Sequence, residues 1–184
     1  MTVLIFTEGT VLVHASSTGK TREEIVRQSQ EFGIQAEENS LSYEDKANYG
    51  TDPGNIHDYS SYLPVGNAVE KISGWKRQGV IIYYLSSRRL KDEIEAIKKV
   101  LEKHHFPDFQ NLLFRQQGED YKTVAERLLP DVFIEDDCES IGGVQEMTSS
   151  HFSPEAKQKI STIVVKEFQG IDHLPNNIYE LAKS

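Results

Sequence analysis

The sequence predicts a three-layer α/β/α fold: a Rossmann-like, doubly wound parallel sheet with a small cap-like insertion after its first strand. Three observations carry this expectation. Short apolar runs alternate with stretches of helical periodicity. The apolar runs are nearly continuous rather than alternating, as in strands buried on both faces. Polar residues follow the runs, at Thr7 and Glu8, Ser86 to Arg88, Arg115, and Glu135 to Asp137. In open α/β sheets the carboxyl ends of the strands are where ligands bind.

The elements can be taken in chain order. Val3 to Phe6 reads as a short buried strand. Thr21 to Phe32 reads as a charged helix with Ile25, Ser29 and Phe32 on one side. From Gly33 to Pro64 periodicity collapses into Asn, Ser, Asp, Gly and Tyr, a length of irregular chain that is usually functional or mobile. Val65, Val69, Ile72 and Trp75 recur at helical spacing, and Gly79 ends that helix. Val80 to Leu85 is β-branched and aromatic, hence a strand. Leu90, Ile94, Ile97 and Leu101 mark a helix stopped before Pro107, with His104 and His105 expected to be exposed. Leu112 to Phe114 is a short strand. Val124, Ala125, Leu128 and Leu129 share one side of a helix that Pro130 closes. Val132 to Ile134 is a strand, a short helix follows Pro154, and Thr162 to Val165 is a fifth strand. The right-handed crossover rule folds these units into one parallel sheet. Val3–Phe6 is expected at its centre, between Val80–Leu85 and Val132–Ile134, so that their ends meet in one crevice.

Composition narrows the class. The 184 residues are 38% hydrophobic and 27% charged, suited to one domain over 1–184 with the insertion at 15–62 inside it. A net charge of −9 argues against a nonspecific grip on nucleic acid, which needs clustered Lys and Arg. The one cysteine, Cys138, precludes an internal disulfide and points to a reducing, cytoplasmic setting. The N-terminus lacks the basic start and length of a signal peptide, and no run approaches the roughly 20 apolar residues of a membrane helix. Gly19-Lys20-Thr21 lacks the glycine of a Walker loop at His14 and does not closely follow a strand.

Val3-Leu4-Ile5-Phe6-Thr7-Glu8-Gly9-Thr10 resembles the first motif of the haloacid dehalogenase superfamily, a hydrophobic strand followed by Asp-x-Asp-Gly-Thr. The resemblance continues along the chain. Ser86, ending Tyr84-Leu85-Ser86-Ser87-Arg88, matches the hydroxyl motif. Lys122, at a helix start, matches the lysine motif. Glu135-Asp136-Asp137 matches the acidic motif, with Asp136 aligned to the metal-binding Asp. Membership would imply a crevice in which Ser86 binds phosphoryl oxygens, Lys122 balances charge, and Glu8, Asp136 and Asp137 hold Mg²⁺. Thr7, Gly9, Ser87 and Arg88 would complete the phosphate surroundings.

The departures decide the chemistry expected. Phe6 stands where the family has its nucleophilic Asp, and a phenyl ring has no lone pair to attack phosphorus. Glu8 stands where the second Asp acts as acid and base, and its extra methylene moves the carboxylate by roughly an ångström. Period-two alternation turns Thr7 away from Phe6. The leading expectation is a protein of lost or altered catalysis that binds a small anionic or phosphorylated molecule and, weakly, Mg²⁺. One alternative is a Mg²⁺-dependent hydrolase that uses water with Glu8 as base. Another is a scaffold that meets a protein partner through the insertion.

Overall fold

The computed structural model describes residues 1–32, 54–116 and 118–181. The strands are β1 (Thr2–Phe6), β2 (Leu12–Val13), β3 (Leu63–Pro64), β4 (Ile81–Leu85), β5 (Leu112–Leu113), β6 (Val132–Asp136) and β7 (Ser161–Val165). The helices are α1 (Arg22–Phe32), α2 (Ala68–Arg77), α3 (Lys91–Lys103), α4 (Tyr121–Leu128), α5 (Pro154–Lys159) and α6 (Ile178–Leu181). The main sheet is parallel, in the order β5-β4-β1-β6-β7. Strand β1 is central between β4 and β6, as expected. The remainder of the irregular stretch, 33–53, and the side chain of Phe32 lie outside the described residues.

Alternation along β1 divides the core into two layers. Val3 and Ile5 face Ile72 and Trp75 of α2, Ile97, Val100 and Leu101 of α3, and Ile178 and Leu181 of α6. Leu4 faces the other way, onto Tyr121, Val124 and Ala125 of α4 and Ala156 of α5. Burying strands on both faces requires every residue of β1's centre to be apolar, and Val3, Leu4 and Ile5 are fully buried. Caps set two helix starts: Asp120 accepts from the Thr123 N–H at 2.7 Å, and Ser153 from the Ala156 N–H at 3.2 Å ahead of Pro154. Leu129, expected on the buried side of α4, instead forms its left-handed C-cap (φ 50°) and is exposed. The chain has already left the helix there, so the helical period no longer applies.

The described parts of the insertion lie outside the main sheet. Its base is closed by the antiparallel pair β2–β3, which the sequence pattern did not announce. Helix α1 docks there through Ile25 and Val26, packed with Val13, Val65 and Phe168. At the other end, the turn Tyr59–Ser61 sits beside α3. His104, expected to be exposed, is half-buried and hydrogen-bonded to the Tyr62 backbone. The C-terminal segment straps the molecule: Phe168 N–H donates to the Gly9 carbonyl at 2.6 Å, Trp75 Nε1–H to that of Pro175 at 2.9 Å, and Lys71 Nζ to that of Leu174 at 2.6 Å.

His14, where the insertion leaves β2, is 1% exposed, between the rings of Tyr62 and Phe168. Its Nδ1 meets Ser16 Oγ at 2.8 Å, while Nε2 has no hydrogen-bond partner. Burial, and then the charge of Lys20, lower its pKa from 6.5 to about 4. The unfolded chain therefore binds the proton first as pH falls. The stabilising contribution is complete above pH 6.5 and is lost on descending to pH 4, at most about 3 kcal/mol. Melting temperature should fall less steeply across that interval in His14→Phe than in the wild type, measured by circular dichroism.

Candidate functional site

The crevice begins where β1 stops. Thr7 N–H continues the ladder to the Leu85 carbonyl, but the Thr7 carbonyl then accepts from both Val11 and Leu12 N–H, closing a tight turn. Gly9 takes φ +84° in that turn, and a Cβ on it would lie 2.6 Å from Asp136 Oδ2. Glycine is required there both by its backbone angle and by the carboxylate pressed against it.

Glu8 points toward the end of β4. Its Oε1 accepts from Ser86 Oγ at 2.7 Å. Its Oε2 accepts from the Ser87 N–H at 3.0 Å and from Thr7 Oγ1 at 2.5 Å. The Arg88 Nε lies 3.8 Å from Oε1. The sequence turned Thr7 to the far side of the strand; instead its hydroxyl reaches Glu8, because β1 has ended at Phe6 and strand alternation no longer governs the turn. Ser86 is fully buried and accepts the Arg88 N–H at 3.1 Å while donating to Glu8. Arg88 braces the loop by donating to Ser87 Oγ at 2.6 Å, and it reaches the insertion through the hydroxyl and ring face of Tyr59.

Phe6 is half-buried, its ring edge-on to Tyr121 with centroids 5.2 Å apart. Tyr121 is buried, donates its hydroxyl to the Ser87 carbonyl at 3.2 Å, and carries the Arg115 guanidinium over its ring at 4.1 Å. Arg115 is itself 1% exposed. Phe6, Tyr121 and Arg115 thus form a column beside the Ser86–Ser87 loop. Lys122, the residue the sequence assigned to this place, is half-buried in the first turn of α4, where its charge, secondary to the Thr123 hydrogen bonds, helps to hold the Asp120 carboxyl below its usual range despite burial. The inward stripe of α4 contains the buried Tyr121, Val124 and Ala125 and the partly buried Leu128, at helical spacing i, i+3, i+4, i+7, and that period separates Tyr121 from Lys122.

The acidic run at the end of β6 is divided among three separate duties. Glu135 accepts the N–H groups of Thr148 and Ser149 at 2.8 and 3.0 Å, and burial raises its pKa. Asp136 accepts from Thr10 Oγ1 and from the Cys138 N–H, both at 3.0 Å. It is 5% exposed, and burial, then the charge of Glu167, push its pKa up to about 8. Asp137 is held below its usual range despite its burial, by the Glu167 N–H and by Lys166 at 3.0 Å. Arg22, at the start of α1, lies 4.0 Å from Asp137 and pairs with Glu139, anchoring the insertion on this side. Burial, then the Asp136 charge, raise the Cys138 thiol, which suppresses its thiolate form.

Mg²⁺ requires about six oxygen ligands in near-octahedral geometry. Glu8, Asp136 and Asp137 each accept from separate protein donors. Among the described residues, no group of three or more His, Cys, Asp or Glu side chains is placed to hold a metal. No described helix is long and apolar enough to cross a membrane.

No protein-family model matches the chain, and no curated protein matches it. Solved structures do. The class C acid phosphatase from Bacillus anthracis superposes with a TM-score of 0.54 over 99% of this chain and 77% of its own, at 14% identity. The same enzyme with tungstate bound gives 0.53 over 92% and 68%, at 16% identity. Likeness at such identity establishes the fold alone: a parallel α/β sheet with flanking helices and an insertion after its first strand.

Two substitutions test this local arrangement. Gly9→Ala should cost about 2 kcal/mol or more in denaturant unfolding, through left-handed strain and the displaced Asp136 carboxyl. Asp136 has a folded-state pKa above its unfolded value of 3.8, so the folded state holds its proton longer and stability is lost as pH rises from about 4 to 8. The melting temperature of Asp136→Asn should accordingly pull ahead of the wild type across that range.

Proposed function

We propose that the protein is a phosphatase-fold protein without phosphoryl transfer, which binds a small anionic or phosphorylated molecule at the carboxyl ends of β1 and β4. The observation that carries this reading is Phe6. Its phenyl edge rests against Tyr121 at the one point where covalent transfer needs an attacking carboxylate. Beside that apolar plug stand the groups an oxyanion prefers: the hydroxyls of Ser86 and Thr7, the Ser87 N–H and the Arg88 guanidinium. The acid phosphatase of similar fold holds tungstate, a tetrahedral oxyanion. Any contribution of Mg²⁺ at Asp136 is weak in this reading, since the neighbouring carboxylates are committed elsewhere.

Water-based hydrolysis with Glu8 as general base is the less favoured alternative. Three of the roughly four acceptor positions of a carboxylate are already filled in Glu8 by protein donors. A phosphomonoester panel with Mg²⁺ should give turnover at background, and chelation by EDTA should leave the melting temperature unchanged. Small phosphorylated or carboxylated molecules should raise it, because a ligand specific to the folded state stabilises that state. Mg²⁺-dependent turnover that disappears in both Glu8→Gln and Asp136→Asn would replace this reading with the hydrolytic one.

A further inference from the structure

We infer that Glu8 is an intramolecular occupant of an oxyanion site, so that the crevice is held closed by the protein's own carboxylate and opens to ligand only when that side chain is displaced. The inference rests on the proposed anion-binding reading and assigns how that site is regulated.

The geometry supplies the argument. Glu8 is 8% exposed, so its carboxylate has exchanged most of its water for protein donors. Those donors come from two strand ends and surround both oxygens: Ser86 Oγ on Oε1, Thr7 Oγ1 and the Ser87 N–H on Oε2, with Arg88 Nε 3.8 Å from Oε1. Two hydroxyls, a backbone N–H and a guanidinium around a pair of oxygens recognise an oxyanion, not a feature peculiar to glutamate. Two oxygens of phosphate or sulfate present the same acceptors. The cradle is stiff on its protein side. Ser86 is fully buried and fixed by the Arg88 N–H, Ser87 is fixed by Arg88 and by the Tyr121 hydroxyl at its carbonyl, and the Thr7 backbone belongs to the β1 turn. The removable member is Glu8, whose carboxylate is attached by a flexible side chain. A free anion therefore competes with a tethered one at the same donors, and it also meets the negative charge of Glu8 until that group swings out.

Arg88 extends the consequence to the insertion. The guanidinium that backs the cradle also donates to the Tyr59 hydroxyl and lies 4.5 Å from the centre of the Tyr59 ring. Exchange of Glu8 for a bulkier tetrahedral anion is thus felt at the contact between the β4 loop and the insertion.

The test is calorimetric titration of inorganic phosphate and, separately, sulfate into the full-length wild type, Glu8→Ala, Glu8→Gln and Glu8→Ala/Ser86→Ala, each first shown to be folded by circular dichroism. Freeing donors that hold a charged group should tighten phosphate binding in Glu8→Ala about tenfold to a hundredfold. The double variant should lose that gain. Glu8→Gln, which keeps a side chain on the donors while removing its charge, should gain far less than Glu8→Ala. Equal affinity in wild type and Glu8→Ala, within about twofold, would overturn self-occupancy while leaving the anion-binding reading intact. A gain in Glu8→Gln as large as in Glu8→Ala would assign the effect to net charge and likewise overturn it. Absence of binding in every folded variant would remove the anion-binding reading itself, and the inference with it.

Discussion

The whole crevice depends on the hydrogen bonding of β1 to both β4 and β6. A strand paired on each side and covered on both faces can carry only apolar side chains along its length, so its chemistry must begin where it ends. Register then fixes what stands there. Phe6 pairs with Leu85, which brings the Thr7–Glu8 turn against the Ser86–Ser87 loop. Ile5 pairs with Ile134 on the other side, which brings Gly9 and Thr10 against Asp136. A slip of one residue along either ladder would face an apolar side chain toward the donors and a carboxylate toward the core.

Two features shape this end of the sheet in complementary ways. Phe6 and Tyr121 make the end of β1 apolar on one side, and Glu8 fills the polar position next to it. The added methylene of glutamate matters here because of reach: from the β1 turn the carboxylate extends to the β4 loop. Asp136, left behind on the β6 side, is buried by the Gly9 turn and is satisfied by Thr10 and Cys138. The carboxylates have diverged toward opposite flanks of β1, each with its own donors.

Much of this architecture was legible in the sequence, and the limits have physical causes. Continuous runs such as Val3–Ile5 and Val132–Ile134 identify strands and their central position, because only doubly covered strands tolerate such composition. The stripe of α4 was legible in part: Val124, Ala125 and Leu128 lie on it, whereas Leu129 falls past the helix end and Tyr121, which heads the stripe, was not read from the sequence. The pair β2–β3 was not legible: two-residue strands are too short to show a period, and Pro64 argues against a strand. Neither was the direction of Glu8. A glutamate at a strand end can face β4, β6 or solvent, and the choice is made by Ser86, Ser87 and Thr7, whose placement is tertiary. The burial of Arg115 escaped for a related reason, since an arginine after a strand usually lies at the surface and only its stacking on Tyr121 marks this one as interior.

The strap from Phe168 N–H to the Gly9 carbonyl has a consequence for the order in which the protein becomes itself. The turn after β1 is translated well before Phe168, the donor that fixes its outer side. Domains acquire structure as they leave the ribosome, amino-terminal parts first. Here the nascent chain holds its central strand and the β4 loop long before the turn between them is clamped. The clamp on this turn can therefore form only once Phe168 has been made.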